Sequence, residues 1–147
     1  MLFALFACSD DVSSMSNAPH AGICYIPMPG STMTPVTRAN LARTCINIVD
    51  LKIDDSRFVE MMSYIKNAAP SDFDEDAVRV RITMPDFTDL YVNKDGEINN
   101  AGAKARLKSD DLKSFIKILN RLDMDWKSRC ERKLGTRGCE LPGDVPN

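Results

Sequence analysis

The chain has one histidine, His20, and one tryptophan among 147 residues. A single imidazole excludes every catalytic or metal site that needs two. No C-x-x-C pair is present, so a zinc site built on paired thiolates is excluded as well. The chain also lacks a G-x-S-x-G elbow, a P-loop and a G-x-G-x-x-G turn. It has no excess of basic residues: the net charge is −2, which argues against nucleic acid or an acidic membrane surface as partner. No apolar run approaches the ~20 residues that a spanning helix requires. No cofactor and no metal is expected.

What is present begins with enough apolar sequence, 44%, to build a core in one domain. Charge is unevenly placed. Residues 71–100 carry eight acids and three bases, and residues 101–140 carry eleven bases and six acids. In a folded domain such blocks partly neutralise each other, or one of them faces an oppositely charged partner.

The chain opens MLFALFACSDD, an apolar run that meets Cys8 and then turns polar. LFAC at residues 5–8 resembles the lipobox of bacterial lipoproteins, in which the cysteine is acylated and becomes the first mature residue. The resemblance covers only this N-terminus and implies lipidation at Cys8, with residues 1–8 as residual signal. A signal segment also has a basic n-region and an apolar stretch of about 7–15 residues, so this reading expects a start upstream of Met1. Residues 9–22 are small, polar and without periodicity, and read as a flexible tether. Ser9 after the cysteine implies, by the same resemblance, anchoring in the outer membrane and a periplasmic location.

In an exported chain the four remaining cysteines, Cys24, Cys45, Cys130 and Cys139, read as a disulfide framework with three possible connectivities. The local pairing joins Cys24 to Cys45 and Cys130 to Cys139. The alternative is four free thiols in a cytosolic protein.

Residues 23–140 read as one domain and residues 141–147 as a disordered tail. Ile23, Tyr25 and Ile26 indicate a short strand, and three prolines at 27, 29 and 35 then forbid regular structure. Residues 37–44 suit one or two helical turns, and β-branched residues 45–53 a strand. Residues 54–70 predict a helix capped by Asp55 or Ser56, with Phe58, Met61, Met62 and Ile65 at helical spacing. The Met pair reads as core filler. Residues 77–85 alternate as a strand, with Val78, Val80, Ile82 and Met84 on one side and Arg79 and Arg81 on the other. Residues 87–93 predict a second strand and Lys94–Glu97 a turn, with a return strand from Gly96. YVNKDGEINNAG at 91–102 resembles the middle of an EF-hand loop, but Tyr91 and Gly102 stand where carboxylates belong, so a hairpin is expected. Residues 107–129 predict the strongest helix, with Leu112, Phe115, Ile116, Leu119, Leu122 and Trp126 in one stripe and acids in its first turn. The order gives an α+β domain: a small, mainly antiparallel sheet, two helices on one face, and disulfide staples.

No constellation of residues specifies catalysis. Asp72, Asp74, Glu75 and Asp76 are too close in sequence to act as a split acid–base pair. By analogy of form, the expected function is a non-enzymatic lipoprotein that binds and inhibits a protein. Its concrete version is an immunity protein neutralising a secreted toxin or an envelope hydrolase. The expected contact residues are that acidic loop with Met28 and Ser31 of the Pro-rich segment, because irregular segments on a rigid scaffold commonly carry function. The rival readings are a structural or assembly lipoprotein of the outer membrane, and a hydrolase using carboxylates alone. Oligomeric state is not specified.

Overall fold

The computed structural model describes residues 18–28, 34–45 and 47–134. Its elements are β1 (His20–Tyr25), α1 (Leu41–Thr44), β2 (Asn47–Lys52), α2 (Ser56–Lys66), β3 (Ala69–Pro70), β4 (Val78–Thr83), β5 (Asp89–Asn93), β6 (Glu97–Asn100), β7 (Ala103–Arg106) and α3 (Ser109–Leu134). All seven strands join one sheet, ordered β2-β1-β4-β5-β6-β7-β3, and every pairing between them is antiparallel. The fold is the expected α+β, weighted toward sheet.

Alternation along the strands separates two cores. On one face Ala21, Ile23 and Tyr25 of β1 meet Val49 and Leu51 of β2, Val80 and Ile82 of β4, and Leu90 and Val92 of β5. The helices cover this face with Phe58 and Met61 of α2 and Phe115, Ile118, Leu119 and Leu122 of α3. Each such side chain contributes roughly 1.5–3 kcal/mol by leaving water. On the other face a smaller cluster holds Cys24, Val36, Leu41, Phe73 and Val78, with Cys45 and Tyr91 packed against it. The Cys24–Cys45 disulfide staples β1 to the end of α1 on this face.

Helix α2 starts where Asp55 accepts a hydrogen bond from the Arg57 backbone N–H at 2.9 Å. The Arg57 guanidinium also donates to Asp55, and to Asp125 of α3 at 2.9 Å, tying the two helices together. That hydrogen bond from the Arg57 side chain draws the Asp55 carboxyl below its usual range.

Several expectations need correction. The tether does not reach residue 22, because β1 begins at His20 and pairs on both sides. Small residues allow this: Ala21 is wholly buried, and Gly22 lies between Asp50 and Thr83. Val78 does not share a face with Val80, because a register shift between them turns Val78 to the second core. The same irregularity buries Arg79, whose Nη1 donates to the Val78 carbonyl at 3.0 Å. Phe87 is not in a strand, since β5 starts at Asp89. Strands β3 and β7 were not expected. Cys8, Ser31, Cys139 and the residue 141–147 tail lie outside the described residues, as does any Cys130–Cys139 bridge.

Candidate functional site

Strand β4 runs six residues, about 20 Å, between two differently built ends of the molecule. At its start lies the acidic loop, residues 71–77. Phe73 is buried in the second core and anchors the loop. The Asp74 backbone N–H donates to Glu97 Oε2 at 2.8 Å, and the Asp76 N–H donates to Asp74 Oδ1 at 2.9 Å. Val36 bonds the Asp76 carbonyl at 3.1 Å, and its own carbonyl accepts from the Val78 N–H at 2.9 Å. The loop is therefore held from both sides, and the side chains of Asp72, Asp74 and Asp76 are left exposed.

Glu75 is half-buried and accepts from Arg38 Nε at 2.8 Å. The Arg38 guanidinium also lies 5.7 Å from the centre of the Tyr91 ring, a cation–π distance. Burial, and then the Asp89 carboxylate beside it, raise the Tyr91 phenol above its usual range. Arg38 and Tyr91 join this surface without any signal in their local sequence, because 37 residues separate Arg38 from Glu75. Met28 does not belong to it: the side chain is 5% exposed and packs in the helix-covered core. An unbranched thioether after Pro27 fills that core better than it serves a surface.

At the other end of β4 the chain turns through Met84-Pro85-Asp86-Phe87-Thr88. The Phe87 N–H donates to the Met84 carbonyl at 2.8 Å, and the Met84 N–H donates to the Thr88 carbonyl at 2.8 Å. Asp86 Oδ1 accepts from both the Thr88 N–H at 3.1 Å and its hydroxyl at 2.6 Å. Phe87 sits in the left-handed region at φ 64° and is 87% exposed. A bulky residue there is an outlier that costs about 1–2 kcal/mol, so the turn stores strain while displaying an aromatic ring.

Beside this turn runs an apolar groove of two adjoining lobes, each about 430 Å³, which share Ile53, Met62, Met84 and Pro85. Lys66 stands at the edge of one lobe and Asp86 at the edge of the other. Sequence reading missed this groove because Met62 shows the helical spacing of a core residue. Its signal was Pro85-Asp86-Phe87, a turn sequence that puts a bulky residue where a glycine is favoured.

Among the described residues no group of three or more His, Cys, Asp or Glu could hold a metal ion. No helix among them is long and apolar enough to cross a membrane. Comparison with known protein families, with curated proteins and with solved structures finds no match to this chain.

Proposed function

We propose that this chain is a non-enzymatic lipoprotein of the bacterial envelope, anchored at Cys8 to the outer membrane, that binds and inhibits a protein partner. The partner class is a secreted antibacterial toxin or an envelope hydrolase, which makes the chain an immunity protein in form. The observation that carries the reading is the Cys24–Cys45 disulfide between β1 and the end of α1. Such a bridge is stable in an oxidising compartment and rare in a reducing one. The lipobox-like LFAC supplies a route to that compartment.

The acidic loop supports the binding part of the reading. Its carboxylates are exposed, yet its backbone is hydrogen-bonded to Val36 and Glu97. A loop ordered before binding loses less entropy when it meets a partner. Asp72, Asp74 and Asp76, with Glu75 behind them, present negative charge to a basic patch, which speeds encounter and selects orientation. Inhibition then follows by steric plugging of the partner's site.

The test has two parts. Intact mass of the protein from its native locus should show an acylated Cys8 as first residue and a mass gain on reduction; an unprocessed chain with free Cys24 and Cys45 overturns the envelope assignment. The toxin or hydrolase encoded beside it should bind, more weakly as salt rises, and Asp72→Asn with Asp74→Asn and Asp76→Asn should slow association about tenfold. Absence of binding to that neighbour overturns the inhibitor assignment.

A further inference from the structure

We infer that the groove between α2 and the β4–β5 turn is a self-association surface, occupied by Phe87 of a second copy of this chain. One surface carries both halves of a contact. Phe87 is a projecting ring, 87% exposed, and the residues on either side of it, Asp86 and Thr88, line the groove. Phe87 itself is not among the residues that line the groove. A two-fold axis passing near Pro85 exchanges the two halves, so that each ring enters the other copy's apolar lobes.

Charge follows the same symmetry. Asp86 is adjacent to the projecting ring, and Lys66, at the end of α2, borders the lobe that receives it. In the proposed pairing Asp86 of each copy faces Lys66 of the other. Acid beside the knob and base beside the hole make the surface complementary to itself in charge as well as in shape. Ile53, Val59, Met62 and Met84 line that lobe beside Phe58 and Ser63, and the two methionines adapt to an aromatic guest.

The backbone points the same way. At φ 64° glycine is the favoured residue. A phenylalanine held there, with its ring in water, is unfavourable for the isolated fold on two counts. Burying the ring in a second copy removes the second. One ring per copy in a shallow groove makes a weak, reversible dimer. The acidic loops lie at the far ends of β4 and stay free in it.

Sedimentation equilibrium of the full chain, from about 1 μM to 1 mM, reads the association constant directly. The expected result is a monomer–dimer equilibrium that weakens at least ~10-fold in Phe87→Gly. That variant relieves the left-handed strain, so its melting temperature should not fall, which separates a lost contact from a lost fold. Lys66→Glu should weaken the dimer about fivefold, as for a peripheral charge that becomes repulsive. A chain that stays monomeric throughout overturns the inference and leaves the groove to a different protein or to lipid. Association that survives Phe87→Gly also overturns it, and assigns the contact elsewhere, such as to the apolar run Leu2–Ala7.

Discussion

Two hairpin turns in this molecule are built to one plan and filled differently. In Asn93-Lys94-Asp95-Gly96-Glu97 the fourth residue donates its N–H to the first carbonyl at 3.1 Å, and in Met84-Pro85-Asp86-Phe87-Thr88 it does so at 2.8 Å. The fourth residue is left-handed in both, at φ 80° for Gly96 and 64° for Phe87. The first turn is stitched inward. Asn93 is fully buried, its Oδ1 accepts from the Asp95 and Glu97 N–H groups at 3.0 and 2.9 Å, and its Nδ2 donates to Glu97 at 2.6 Å. Leu107 then packs on it, with its N–H bonded to the Gly96 carbonyl at 2.9 Å. The second turn is held by backbone bonds between Met84, Phe87 and Thr88 and by the Asp86 carboxylate on Thr88, and it projects a ring outward. One turn is optimised for stability; the other gives up stability at the position most suited to display a side chain.

The largest effect should come from breaking the stitched turn. Asn93→Ala removes four side-chain hydrogen bonds at a buried position and should cost about 3 kcal/mol in urea unfolding. Gly96→Ala should cost about 2 kcal/mol, because a Cβ at φ 80° would also lie 3.1 Å from both Leu112 methyl groups. The same exchange in reverse sharpens the contrast: Phe87→Gly should gain about 1 kcal/mol. A loss at Phe87→Gly would mean that the ring contributes to the isolated fold. A smaller gain, about 0.5 kcal/mol, is expected for Ala101→Gly in the β6–β7 turn, where Ala101 has φ 49°.

The smallest effect concerns pH. The Thr88 hydroxyl, and then the Thr88 N–H, hold the Asp86 carboxyl below its usual range. A lowered folded-state pKa stabilises above the unfolded value, near 3.8, and that contribution is lost as pH falls through the folded value. Asp86→Asn should therefore flatten the acid limb of the stability curve slightly, in a series of melts from pH 5 to about 2. An unchanged limb would show that solvent screens the turn completely.

Much of the fold was legible in residue pattern. Phe58, Met61 and Ile65 place α2, and Phe115, Leu119 and Leu122 place α3, because burial of one stripe requires a 3.6-residue period. The Lys94–Glu97 turn was readable from Asp95-Gly96, and Asp55 from its position as a cap. Strands β7 and β3 were not readable: AKAR alternates only small alanines with charge and AP is two residues long, and β7 is a strand because β6 offers it an edge, as β7 in turn does for β3. The bulge after Val78 was equally silent, since VRVRIT alternates without interruption.

Of the candidate site, the acidic loop was visible as composition, and its partner Arg38 was not. Met28 looked displayed among prolines and proved to be core. The sequence alone determined the types of the longer elements, the antiparallel class and the availability of cysteines for pairing, because those depend on neighbours along the chain. Only the tertiary structure decided that Cys24 meets Cys45, that Arg38 lies over Tyr91, and that Phe87 stands out beside a groove lined by Met62 and Met84. Each of these is a meeting of residues far apart in sequence, and such meetings are set by strand order and register, which local patterns do not encode.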